Sequence, residues 1–317
     1  MKKALFACFV PSDLQDEPLM PSCKVANNLA SLVLPTLSID LEELKSSLQE
    51  KSISLQWCGE AMLLVNKLHH HFLSLCKSSQ AASLVLDHVN TVEDEYMRES
   101  LNLLDFCILL KSYISDVDSR RLMFDFAVKK FHDEGSSLEK VEMRRLLRAD
   151  AKCSQFTRRK NKIITVCKAK QNASSSMRVV SSTMSTVSML ILCSIVHPMP
   201  RDEILGEIQR ELLSLSCFSA FLQELVSSFY ETANVVTRTG KMDLSEKEII
   251  GFEIQITEGG ELKKQKILQM LGKRTAALRE GLDLLESVLN EVFEDVVKGR
   301  KQVLELISCR NYKNFNF

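Results

Sequence analysis

Proline and glycine are scarce in this chain of 317 residues: it holds ten Gly and six Pro, about 3% and 2% against the roughly 7% and 5% of average proteins. Every Pro lies within residues 11 to 35 or at Pro198 and Pro200, so none interrupts Thr36 to His197 or Arg201 to Phe317. That scarcity excludes a turn-rich β protein and a Pro-rich disordered one, and it permits long helices almost throughout. Also missing is any close pair of cysteines. Cys8, Cys23, Cys58, Cys76, Cys107, Cys153, Cys167, Cys193, Cys217 and Cys309 are scattered, with no CxxC, so zinc-ribbon and thioredoxin-type chemistry lose their main signature. Scattered Cys in a helical chain read as small apolar core residues in a reducing compartment. The apolar run Ala4 to Val10 after two lysines looks slightly like a secretory signal, but it is only seven residues long and Pro11 ends it, so secretion is not the expectation.

Motifs of known chemistry are absent as well. Neither Walker A, GxGxxG nor GxSxG occurs. The residues three before each His are Asn66, Lys67, Leu68, Val85, Lys129 and Ser194, so the Glu-x-x-His pairs of di-iron bundles are missing. His69, His70 and His71 are consecutive and spread around a helix instead of converging on a metal. They read as polar residues near the surface. Cys193 and His197 share a helical spacing, but nothing nearby supplies two further ligands. Asp87, Asp105 and Asp125 stand singly in amphipathic segments and read as surface or capping residues. No cofactor, no metal and no enzymatic activity is the expectation.

With 45% hydrophobic residues the chain can bury a substantial core, and its apolar residues recur at helical spacing. Residues 1–35 read as a mobile leader and a short helix ending at Pro35, and residues 36–150 as an N-terminal helical half. Asp40 with Glu43, Thr91 with Asp94 and Ser136 with Glu139 fit helix starts. Trp57 opens a helix over Ile53 to Cys76. Arg201 to Val236 keeps one apolar face. Steps of four and three from Leu271 give Leu271, Thr275, Leu278, Leu282, Leu285, Leu289, Val292, Val296, Gly299 and Val303, eight of the ten apolar. Such a heptad seam packs helices at shallow angles, although Gly272, Gly281 and Gly299 each weaken a helix by about 1 kcal/mol. The expected fold is therefore all-α, an elongated bundle of long antiparallel helices with a coiled-coil-like C-terminal helix.

Equal numbers of acids and bases, 41 each, conceal one imbalance. Residues 151–178 carry Lys152, Arg158, Arg159, Lys160, Lys162, Lys168, Lys170 and Arg178 with no acid, a run of +8 that would connect the two helical halves. A solvated helix face or linker is its first reading; an anionic membrane surface comes next, then nuclear import. Nucleic acid comes last, since Phe156 is its one aromatic. The C-terminal half, 179–317, opens with eighteen uncharged residues, Val179 to Val196, about 27 Å as a helix. Seven of these are Ser or Thr, and only Met189, Leu190, Ile191, Leu192, Ile195 and Val196 with Cys193 form a dense apolar end. A buried bundle helix is the preferred reading, a single membrane span the alternative.

Three segments carry a family likeness. Glu95-Tyr96-Met97-Arg98-Glu99-Ser100-Leu101-Asn102-Leu103-Leu104-Asp105-Phe106-Cys107 resembles the "EYL-x-x-S-x-x-LLD-x-C" segment of the plant BYPASS-related proteins. Ser54-Leu55-Gln56-Trp57 with Ala61-Met62 is similar to their "SL-x-W…AM" helix. Gly281-Leu282 through Leu285-Glu286, Val292-Phe293 and Gly299-Arg300 resembles their terminal helix. The likeness spans about residues 30 to 307. It implies a non-enzymatic plant protein of root and shoot development, in which relatives restrain production of a root-derived mobile growth-arrest signal. It also implies protein partners, among them exocyst subunits for some relatives, and no catalytic residues; the location expected from the scattered cysteines is cytoplasmic, with or without membrane association.

Overall fold

The computed structural model describes residues 21–51, 53–82, 89–133, 175–195, 201–211, 216–239 and 261–315. Within them there are seven helices and no strand: α1 Pro21–Lys51, α2 Leu55–Ala82, α3 Val89–Asp133, α4 Ser175–Ile195, α5 Arg201–Glu211, α6 Ser216–Thr239 and α7 Glu261–Phe315. The fold is all-α. At 1.5 Å per residue the 55 residues of α7 reach about 80 Å.

α2 is the central element and lies against α1, α3, α4 and α7. Its sequence explains why. Trp57, Ala61, Met62, Val65, Leu68, Phe72 and Cys76 are buried, a stripe wide enough to meet partners on several sides. Ser54 starts the helix by accepting a hydrogen bond from the Trp57 amide at 3.2 Å, an N-cap that occupies one of the four amides a helix start leaves open. The Trp57 indole N–H donates to the Leu44 carbonyl of α1 at 3.3 Å, and its ring meets Phe229 of α6, centroids 5.6 Å apart.

Two expected helix boundaries move. α1 passes through Pro35 without a break. Proline has helical φ and forfeits one backbone hydrogen bond, and the buried row Leu37, Leu41, Leu44 and Leu48 against α2 and α6 holds the helix across it. Asp40 is therefore no cap; it sits inside α1 and accepts an ion pair from Lys67 of α2 at 2.7 Å. Thr91 likewise lies within α3, not ahead of it. The apolar face over 201–236 is divided between α5 and α6, which carry Ile204 and Ile208, then Phe218, Leu222 and Leu225, all buried. Residues 136 and 139 lie outside the described residues.

Direction follows from paired contacts. Trp57 meets Leu44 and Lys67 meets Asp40, so α1 and α2 are antiparallel. Tyr96 approaches Gly299 and Lys111 covers the Phe293 ring, so α3 and α7 are antiparallel too. α2 and α7 differ: Leu55 abuts Gly281, Asn66 meets Asp295 and Lys77 meets Gln302, which is a parallel pair. A short connection forces neighbours in sequence to reverse, whereas partners some 225 residues apart are free of that constraint.

Every described position of the α7 seam turns inward. Leu285, Leu289, Val292, Val296 and Val303 are fully buried, Thr275 and Leu282 nearly so, and Leu278 is half-buried. Two of its glycines have a use that a helix-propensity count misses. A Cβ on Gly281 would stand 2.9 Å from the Leu55 side chain, and one on Gly299 would overlap the Tyr96 hydroxyl. Both are places where another helix comes too close for a side chain.

Candidate functional site

The residues expected to make contacts fare unequally. Arg158, Arg159, Lys160, Lys162, Lys168 and Lys170 lie outside the described residues, as does Val196. The apolar set does appear. Val179, Met189, Leu190 and Ile191 of α4 are buried, and Leu192 and Ile195 half-buried. α4 packs against α2, α4's neighbours α5 and α6, and at fewer points α3. Ser181, Ser182, Thr183 and Thr186 are buried along with them. Hydroxyls can enter a core when the backbone satisfies them, and Thr183 does so by donating to the Val179 carbonyl at 2.7 Å. Among the described residues α4 is the one helix long and apolar enough to cross a membrane, with 67% of that stretch buried in the bundle.

A polar junction between α2, α3 and α7 went unread in the sequence. His69 is 1% exposed, so it belongs to the core and not, as its place in a His triplet suggested, to the surface. One of its ring nitrogens shares a 2.9 Å hydrogen bond with the Tyr96 hydroxyl of α3, and the room for that pair is the missing side chain of Gly299. Burial pushes His69 down to about 4 and raises Tyr96 above the ordinary phenol range, so both are neutral near pH 7. Beside them Arg300 of α7 donates to the Met97 carbonyl at 2.6 Å and to the Ser100 hydroxyl at 2.8 Å.

The same turns of α3 bury acids. Glu93, Glu95 and Glu99 are each under 5% exposed. Arg98 bonds Glu95 and, at 3.3 Å, Glu99. A signal existed in the sequence. The apolar positions Val92, Tyr96, Leu103 and Phe106 step along one face of α3, and Glu99 occupies the place between Tyr96 and Leu103 where an apolar residue is due.

Outside the core, α2 and α7 leave a shallow open groove lined by Leu63, Asn66, Lys67, His70, His71, Ser74 and Glu291. Two of these residues also meet Asp295 of α7, which accepts from the Asn66 amide at 3.1 Å and from His70 at 3.0 Å. Partial burial pushes the Asp295 carboxyl up, but the bonds from Asn66 and His70 outweigh that and hold it below its ordinary range. Among the described residues no three His, Cys, Asp or Glu side chains are placed to hold a metal. Cys58 and Cys107 are free and buried, and desolvation pushes each thiol up to about 12, so neither has thiolate character near neutrality. Cys76 and Cys193 are buried as well, in keeping with core use, whereas Cys309 is exposed.

Chemically, the junction fixes three helices to one another through buried polar groups, with His69 Nδ1 and Arg98 Nε left without a hydrogen-bond partner among the described residues. The groove offers an open mixed-charge surface. No protein-family model, no curated protein and no solved structure matches this chain.

Proposed function

We propose that this chain is a non-enzymatic regulatory protein of the plant BYPASS-related type, acting through protein contacts in root and shoot development and restraining a root-derived mobile signal. One observation supports the reading: the three segments that resemble the family lie against one another. Leu55 of the first abuts Gly281 of the third. Tyr96 of the second abuts Gly299 of the third, and Arg300 bonds Met97 and Ser100. A family pattern made of helix contacts belongs to a scaffold that presents surfaces, and its polar residues serve cohesion.

A second reading, a membrane-associated trafficking adaptor that binds exocyst subunits, is favoured by the +8 run over 151–178, which leads into the first turn of α4. Because α4 is occupied in the bundle, that attachment would be electrostatic, about 1 kcal/mol per basic residue near an anionic surface. Grafting tests the first reading. Wild-type shoots on rootstocks lacking the protein should arrest, and wild-type shoots growing normally on such roots would overturn it.

A further inference from the structure

We propose that His69 and Asn66 of α2 form a binding site for one internal water, which accepts a hydrogen bond from His69 Nδ1–H and donates one to the Asn66 side-chain carbonyl. Two stranded atoms point to it. Among the described residues His69 Nδ1 and Asn66 Oδ1 are buried without a hydrogen-bond partner, on residues that are 1% and 7% exposed. A buried polar atom left open costs stability, and folded proteins meet such atoms with protein groups or with ordered water.

The other end of each side chain decides what its stranded atom can do. The Tyr96 hydroxyl makes one hydrogen bond among the described residues, the 2.9 Å contact with His69 Nε2. Its proton is satisfied only there, so Nε2 is the bare, accepting nitrogen. A neutral imidazole carries one N–H, and burial keeps His69 neutral near pH 7. That proton therefore sits on Nδ1, which is a donor without an acceptor. Asn66 is oriented in the same way. Its NH2 group faces the Asp295 carboxylate at 3.1 Å, and a turned amide would set oxygen against oxygen. Oδ1 is thus an acceptor without a donor. One water answers both.

Placement agrees. Residues three apart are neighbours on a helix face, about 5 to 6 Å between their Cβ atoms, and this face of α2 turns toward α7. Asn66 meets Asp295, and His69 Cε1, the atom bonded to Nδ1, is 3.2 Å from where a Cβ of Gly299 would stand, one turn further along α7. Two hydrogen bonds of about 2.9 Å span such a separation. A buried water needs at least two polar partners, and these atoms supply them. Asn66 also lines the open groove between α2 and α7, so water has a short way in. The bonds then run in one consistent sense. Tyr96 donates to His69, His69 to the water and the water to the Asn66 carbonyl, while the Asn66 amide and His70 donate to Asp295. The core pair and the groove become one network across α3, α2 and α7.

Two measurements on the unaltered chain test the site, so no variant has to fold. Long-range proton–nitrogen correlation spectra of nitrogen-15 histidine-labelled protein at pH 7 read the tautomer, with the His69 ring assigned by its through-space contact to the Tyr96 ring. The proton should be on Nδ1 and Nε2 should be bare. A proton on Nε2, or a doubly protonated ring, would overturn the proposal by removing the donor or the neutral state it needs. A crystal structure that resolves ordered waters then reads the ligand. It should show one water within about 3.2 Å of both His69 Nδ1 and Asn66 Oδ1. A direct bond between those two atoms, or no water shared by them, would overturn the site.

Discussion

Leu285→Ala should lower the stability of this bundle by about 2 to 5 kcal/mol, the cost of deleting a buried leucine and leaving a partly collapsed cavity. Leu285 is fully buried at the centre of the α7 seam, between Leu282 and Leu289, on the helix that packs against both α2 and α3. Total stability of a domain is about 5 to 15 kcal/mol, so the change would be a large fraction of it. Leu285→Asp should do worse, because it places an unpaired carboxylate where no water reaches. Glu280, five residues earlier on the same helix, is exposed, and Glu280→Ala should change stability by less than about 0.5 kcal/mol. Urea midpoints of the three variants make the comparison. Equal midpoints for Leu285→Ala and Glu280→Ala would mean that the seam faces solvent.

Gly299→Ala and Gly272→Ala should change stability in opposite directions, although both put the same methyl on the same helix. Helix propensity alone favours each by up to about 1 kcal/mol. At Gly272 nothing stands within 4 Å of the new Cβ, so the gain should be realised. At Gly299 the methyl overlaps the Tyr96 hydroxyl and stands 3.2 Å from two atoms of the His69 ring. Neither ring can fold aside like an aliphatic tip, since Tyr96 is also stacked on Phe72 with centroids 5.7 Å apart. Overpacking costs about 1 to 3 kcal/mol, and losing the His69 bond to Tyr96 strands buried polar atoms at about 1 to 3 kcal/mol more. Adding Tyr96→Phe should recover part of the loss by making room, a coupling that a double-mutant cycle reads directly. Thermal midpoints that rise for both glycine variants would contradict the close packing at Gly299.

Much of the architecture was legible because long periodic elements announce themselves. The four-and-three count from Leu271 finds the buried side of α7, since one apolar stripe on a helix has few other uses. The uncharged segment after Arg178 identifies a core helix for a related reason: no solvent-facing side was encoded. Pro35 misled because proline removes only one hydrogen bond, and the packing of Leu37 to Leu48 against other helices is invisible to a local reading. The polar junction escaped for another reason. An apolar count passes over His69, Glu95 and Glu99, and the group that bonds the backbone beside them, Arg300, lies 203 residues from Met97. The parallel pairing of α2 and α7 is long-range in the same way. The same blindness turned Gly281 and Gly299 into apparent weaknesses, when each marks an approach of another helix.

The account rests on α4 being held in the bundle while the protein works through contacts at its surface. Fractionation of membranes washed first with high salt and then with carbonate tests this most directly. The protein should be in the soluble fraction or leave the membrane with salt, and release by salt would favour the adaptor reading. Retention through carbonate would contradict the account, because it would put Val179 to Ile195 in the bilayer and not in the core.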